Sequence, residues 1–183
     1  MNVEKLAIQE VLLLTPPRFR DSRGFFSETW NQARYADAGI PGPFIQDNHA
    51  VSNGRGVVRG LHCQIGPNAQ GKLVRVVKGA IWDVAVDIRL GSPTYGQHAG
   101  AELSAENWSQ LWCPPGFLHG YCTLTEGTEV IYKVTAPYDR AAERGVIWND
   151  PDLNLPWPIA PHEAILSEKD SVLPRLEDCD RWF

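Results

Sequence analysis

Residues 81–89, IWDVAVDIR, alternate with a period of two. Trp82, Val84, Val86 and Ile88 are apolar, while Asp83, Asp87 and Arg89 stand on the intervening positions. Successive side chains of a strand point to opposite faces, so this pattern predicts a strand with one buried face. β-Branched residues also crowd KLVRVV at 72–77 and EVIYKVT at 129–135. Turn signals separate such runs: NGRG at 53–56, IGPN at 65–68, KGA at 78–80, LGSP at 90–93, PPG at 114–116 and EGT at 126–128. Short strands punctuated at this spacing predict an all-β sandwich or barrel.

Helix signals lie only towards the ends. Residues 27–39, SETWNQARYADAG, have a Ser start, an Ala-rich body and a Gly stop. SEKDSVLP at 167–174 opens another, with Ser167 as N-cap and Asp170 at N3. The Pro-rich stretch 151–161 carries Trp157 and several apolar residues, so it reads as an ordered surface crossing, not a linker. A chain of 183 residues in one domain buries roughly 70% of its unfolded surface. One β-barrel or jelly-roll domain over residues 1–183, with short terminal helices, is expected.

The net charge of −5 argues against general nucleic-acid binding, which needs a basic face to neutralise phosphates. It leaves room for a small phosphorylated ligand held by two or three local cations. The N-terminus has neither the basic start nor the long apolar core of a signal peptide, and no segment is long enough to span a membrane. The four cysteines (Cys63, Cys113, Cys122 and Cys179) show no CxxC spacing, which fits reduced thiols and a cytoplasmic protein.

The chemistry-bearing residues cluster around VRGLHCQ at 58–64 and the following KLVRVV. On a regular strand His62 shares a face with Val58 and Gly60, where an imidazole is either a hydrogen-bonded core residue or a proton-transfer group. Lys72 shares parity with Val74 and Val76, which makes it a charge in an apolar pocket or a snorkelling residue at a strand end. Arg59 has the opposite parity to His62, so a bulge at Gly60 is required to bring both into one cavity. With Arg23 of the RDSRGFF turn, it has the chemistry to clamp phosphate oxygens, although their spacing carries little signal for it; alone it reads as a surface residue. Tyr132 shares parity with Val130 and Val134, as a packing residue or as an acid facing an inward histidine. Asp170 is explained by its capping role and is free to take a second one if its helix packs against His62.

PPGFLHGY at 114–121 contains the spacing PxGxxH, from Pro114 through Gly116 to His119, which matches the second motif of cupin barrels. A metal-binding cupin places a second His two residues after the first, where this chain has Gln64. A metal site of His62, His119 and Cys63 stays open as the less favoured reading; the preferred one has no metal and no cofactor.

Taken together, RDSRGFFSETW, FIQDNHAVS, VVRGLHCQ, NAQGKLVRVVKG, DVAVDIR, SPTYGQ, LSAEN, PPGFLHGY, the YK of VIYK, and IWNDPDLNLPWP followed by LSEKD resemble the dTDP-4-dehydrorhamnose 3,5-epimerase family over nearly the whole chain. The resemblance implies a cupin-like jelly-roll β-barrel, usually a homodimer, acting without metal on a dTDP-sugar. It implies that His62 is the general base, polarised by Asp170, that Tyr132 is the acid on the opposite face and that Lys72 stabilises the oxyanion. Arg59 with Gln46 and Asn48 then contacts the phosphates. Arg23, Phe26 and Glu28 serve the nucleotide, often from the partner subunit. Tyr138 packs near the thymine and His119 lines the pocket. Branches that invert only one carbon keep much of the same pocket, so a single-site epimerase is the nearest alternative.

Overall fold

The computed structural model describes residues 1–183. Its strands, in chain order, are β1 (Asn2–Lys5), β2 (Leu12–Thr15), β3 (Phe19–Asp21), β4 (Gly24–Phe26), β5 (Gln46–Ser52), β6 (Val58–Gln64), β7 (Lys72–Lys78), β8 (Ala80–Asp87), β9 (His98–Ser104), β10 (Gln110–Cys113), β11 (Phe117–Thr123), β12 (Thr128–Val134) and β13 (Glu143–Gly145). The helices are α1 (Gln32–Asp37) and α2 (Glu168–Ser171). A six-stranded sheet in the order β1-β2-β10-β7-β12-β5 faces a five-stranded sheet in the order β13-β6-β11-β8-β9, and β3-β4 form a separate hairpin. Neighbouring strands in these sheets pair antiparallel. This is the expected jelly-roll architecture.

The main core fills the space between the two sheets. Val74, Val76, Leu111 and Val130 from one sheet meet Ile81, Ala85, Leu103 and Phe117 from the other. A second core lies behind the five-stranded sheet, where Val146, Leu153 and Leu155 cover Leu61, Val84, Val86 and Leu118. This second core corrects the expectation for β8. Val84 and Val86 do lie together on one face, yet that face points away from the inter-sheet core. Ile81 and Ala85 fill the other face, and Asp83 and Asp87 are fully buried there as well. The apolar residues of the 151–161 crossing supply the extra cover, and Trp157 packs edge-on against Trp82.

The helices are shorter than their sequence signals suggest. The first begins at Gln32 with Asn31 as its N-cap, whose side chain accepts from the Arg34 amide at 3.2 Å. Ser27 is not the cap, because its hydroxyl accepts a hydrogen bond from the Trp108 indole at 3.0 Å. Gly39 ends the segment as expected, with a φ of 88° that glycine adopts freely. Ser167 does cap α2, accepting from the Asp170 amide at 3.1 Å. No helix is long and apolar enough to cross a membrane.

Candidate active site

β6 and β11 approach so closely that a Cβ on Gly60 would lie 2.7 Å from the Cα of Gly120 and from the His119 carbonyl oxygen. The register here passes from His119 opposite His62 to Tyr121 opposite Arg59, so β6 carries one residue more than its partner. That is a β-bulge. It reverses the parity of β6: Val58, Leu61 and Cys63 pack into the outer cores, while Arg59 and His62 both turn into one cavity. The bulge anticipated at Gly60 is present, and it separates His62 from the face of Val58.

The cavity, of about 430 Å³, is lined by Arg59, His62, Lys72, His119, Tyr132 and Asp170. His62, Lys72 and Tyr132 also line an adjoining lobe of about 360 Å³ with Gln46, Asn48, Tyr138 and Glu143. The three shared side chains therefore stand where the two lobes meet. His62 comes from the five-stranded sheet, Lys72 and Tyr132 from the six-stranded sheet, so the imidazole and the phenol occupy facing walls.

His62 Nε2 lies 2.7 Å from Asp170 Oδ1, and Asp170 is only 4% exposed. Burial pushes that carboxyl up, but the hydrogen bond from His62, with help from Ser167 and the Gly60 amide, outweighs it and holds the acid ionised below its ordinary range. With Nε2–H donated to the carboxylate, Nδ1 carries the free lone pair, and no protein group bonds to it. The α2 cap therefore serves twice: Ser167 starts the turn, and the turn aims Asp170 at the imidazole.

Lys72 is half-buried and pairs with no acid. Burial draws its ammonium below the ordinary lysine range. The thiols near it do not compensate, since burial pushes Cys63 up to about 12 and Cys113 higher still, leaving both neutral. Tyr132 has no hydrogen-bond partner in the protein. Burial raises its phenol, opposed by the Arg59 charge. A carboxylate-paired imidazole, an unpaired cation and an unpaired hydroxyl thus converge on one space.

The family model for dTDP-4-dehydrorhamnose 3,5-epimerase matches residues 5–178 of this chain. The chain belongs to the dTDP-4-dehydrorhamnose 3,5-epimerase family. It is 48% identical over 184 residues to the dTDP-4-dehydrorhamnose 3,5-epimerase of Shigella flexneri, covering 100% of both chains. Against the enzyme of the same name from Sinorhizobium fredii it is 50% identical over 180 residues, with 96% of this chain and 90% of the relative covered. The crystal structure of the Legionella pneumophila dTDP-6-deoxy-D-glucose-3,5-epimerase, in complex with dTDP-4-keto-L-rhamnose, superposes with a TM-score of 0.93 at 42% identity, covering 98% and 94% of the two chains.

Not every residue that the family resemblance points to meets in one place. Gln46 and Asn48 lie in the second lobe, whereas Arg59 lies in the first, where its guanidinium donates to Ser52 Oγ at 3.3 Å and to the Val51 carbonyl at 3.1 Å. The inner face of β5 runs Gln46, Asn48, Ala50, Ser52 and so connects the two lobes. Arg23, Phe26 and Glu28 line neither lobe of their own chain. Arg23 is 87% exposed and bonded to Asp21, Phe26 is 68% exposed, and Glu28 pairs with Arg34 at 3.1 Å.

Several residues in and around the cavity were not singled out from the sequence. Asp83 reads there as a wetted strand residue but is fully buried, with Oδ1 2.7 Å from His119 Nε2. Strand pairing sets His119 opposite His62, so two His–carboxylate pairs stand side by side. Their imidazoles are held by separate carboxylates, and no group of three His, Cys, Asp or Glu side chains converges as a metal site would require. Lys169, on the same turn as Asp170, reaches Glu143 at 2.6 Å, and Glu143 accepts from the Tyr138 hydroxyl at 3.1 Å. The only sequence signal for that chain of contacts was the LSEKD block itself.

Proposed function

We propose that this chain epimerises dTDP-4-dehydro-6-deoxy-D-glucose at C3 and C5 to dTDP-4-dehydro-L-rhamnose, as a step of dTDP-L-rhamnose formation. The observation that carries this reading is the facing arrangement of His62, with its free Nδ1, and Tyr132, with the Lys72 ammonium beside the space between them. Both target protons flank the C4 ketone and are acidic for that reason. His62 Nδ1 removes one, and Asp170 stabilises the imidazolium that forms. The electron pair moves onto the ketone oxygen, where Lys72 Nζ offsets the enolate charge. Tyr132 then delivers a proton to the opposite face of the same carbon, which inverts it. His62 and Tyr132 recover their starting protonation from solvent, and the cycle repeats at the second carbon. Lys72 occupies the charge-stabilising role, so the reaction in this form needs no metal and no organic cofactor.

Arg59, Gln46 and Asn48 hold the diphosphate, Tyr138 packs against the thymine, and His119 with Asp83 shapes the sugar end. Arg23, Phe26 and Glu28 reach the nucleotide of a second copy, which makes the working unit a homodimer. The exposed Phe19, Phe25 and Phe26 of the β3–β4 hairpin support that assignment, and sedimentation is expected to give twice the chain mass of 20.4 kDa. The four unpaired thiols favour a reducing, cytoplasmic setting.

Proton NMR of the product tests the reaction itself: inversion at C3 changes the H2–H3 coupling, and inversion at C5, where H5 has no vicinal ring proton beside the ketone, changes the cross-ring NOE between H1 and H5. A coupling and an NOE pattern both unchanged after prolonged incubation would refute an epimerase of this sugar. Tyr132→Phe is expected to leave solvent exchange largely intact, because His62 can return a proton to the face it came from. Inversion should fall by about 10²–10⁴-fold. A variant that inverts at the wild-type rate would remove Tyr132 from the acid role.

A further inference from the structure

Gln64 closes β6 at the point where a metal-binding cupin carries a histidine, and its carboxamide is fully used. It is only 4% exposed. Its Nε2 donates to the Asn68 carbonyl at 2.7 Å and to the Pro137 carbonyl at 2.9 Å, while its Oε1 accepts from the Asp139 amide at 2.8 Å. Two of these three partners flank Tyr138 directly. The third, Asn68, is tied to the same turn, since its Nδ2 donates to Asp139 Oδ2 at 2.7 Å. Tyr138 itself remains 57% exposed on the second lobe. Its only other ties are to Gln46 Oε1 at 3.4 Å and Glu143 Oε2 at 3.1 Å, both longer than those that Gln64 makes.

We infer that Gln64 is a positioning residue for the nucleobase end of the site: it clamps the Pro137–Asp139 turn so that the Tyr138 ring is held ready for a pyrimidine. The inference rests on the reading above that Tyr138 packs against the thymine. An exposed aromatic on an untethered turn loses its conformational freedom when it stacks on a ligand, and that loss weakens binding. A buried amide with two donors and one acceptor, all spent on the backbone of one turn and its neighbour, removes that freedom in advance. No other side chain of this length supplies the same set: glutamate is charged and lacks the donors, and methionine has no donor and only a weakly accepting sulfur. The clamp lies in the second lobe, whereas Arg59, the charged phosphate contact, lines only the first, and the tie from Tyr138 to Gln46 is the long one at 3.4 Å, so the clamp bears chiefly on the base.

The test compares Gln64→Met with Tyr138→Ala, using calorimetric titration with dTDP and with inorganic pyrophosphate, and steady-state kinetics with the sugar nucleotide. Gln64→Met is expected to weaken dTDP by about tenfold and to raise KM in parallel. The value of kcat and the affinity for pyrophosphate should stay within about twofold of wild type, a split that general loosening of the fold would not produce. The double variant is expected to bind dTDP no more weakly than Tyr138→Ala, because the two side chains act as one unit. Asn68→Ala cuts only the tie to Asp139 and gives a milder weakening of dTDP in the same direction, which covers the case of Gln64→Met failing to fold. If Tyr138→Ala weakens dTDP while Gln64→Met and Asn68→Ala do not, the clamp is refuted and the thymine contact stands. Equal loss of pyrophosphate and dTDP in a folded Gln64→Met also refutes it. If Tyr138→Ala binds dTDP normally, the thymine contact fails first and the clamp falls with it.

Discussion

Replacing His62 with alanine is expected to slow proton exchange at both C3 and C5 by about a thousandfold or more, with dTDP affinity preserved. The reason is geometric. One imidazole nitrogen is occupied by Asp170 at 2.7 Å, and the other faces the cavity without a protein partner. Alanine removes the base while leaving Arg59, Gln46, Asn48 and Tyr138 in place for the nucleotide. A thousandfold loss corresponds to about 4 kcal/mol of barrier, which a single proton-transfer group can supply. His119 is the other imidazole lining the cavity. It is paired with Asp83 at 2.7 Å in the same manner. Exchange that survives in His62→Ala and disappears in His119→Ala would move the base to the second pair. Both carbons should be affected alike, since one base serves both in turn.

The second large effect concerns charge. Lys72→Met is expected to lower kcat by about 10²–10³-fold without destabilising the protein. Methionine keeps the length of the side chain and deletes a cation that is half-buried, lacks an acid partner and is drawn below its ordinary pKa by burial. Such a charge costs free energy in the resting protein, so urea unfolding should give a midpoint equal to or above that of wild type. Activity falls because Lys72 is the cation that stands where the two lobes meet; Arg59 and Lys169 line the first lobe only, Arg59 donating to Ser52 and the Val51 carbonyl and Lys169 pairing with Glu143. A variant that loses stability together with activity would make Lys72 a structural residue. One that retains activity within about tenfold would take the enolate charge away from it.

Strand periodicity and turn residues made the jelly roll legible, and the limits of that reading were set by contacts remote in sequence. The alternation in IWDVAVDIR shows that two faces differ, but the assignment of one face to solvent failed. The cover for Val84 and Val86 comes from residues 146–155, far along the chain. Ser27 has the right chemistry for an N-cap, yet the Trp108 indole, 81 residues away, takes its hydroxyl. Asp83 failed in the same way, since its partner His119 lies 36 residues on and meets it only through strand register.

The site was more legible where one residue type leaves few options. Gly60 pointed to a bulge because Arg59 and His62 had conflicting parity, and the close approach of Gly120 supplies the physical cause. Lys72 stood out because a charge with the parity of Val74 and Val76 needs a reason to be there. Asp170 was visible as a cap, but its aim at His62 depends on where a four-residue helix packs, and no local pattern encodes that. Gln64 was noticed only as the absence of a histidine. Its hydrogen bonds to residues around Tyr138 span more than 70 positions, beyond the reach of any local motif.

Solvent deuterium incorporation into dTDP-4-dehydro-6-deoxy-D-glucose, followed by NMR at C3 and C5 in one reaction with the unaltered protein, tests the central claim most directly. Label is expected at both carbons, each at a carbon whose configuration has inverted. Label confined to one carbon would make this a single-site epimerase, and label at neither would contradict proton transfer by His62 and Tyr132 altogether.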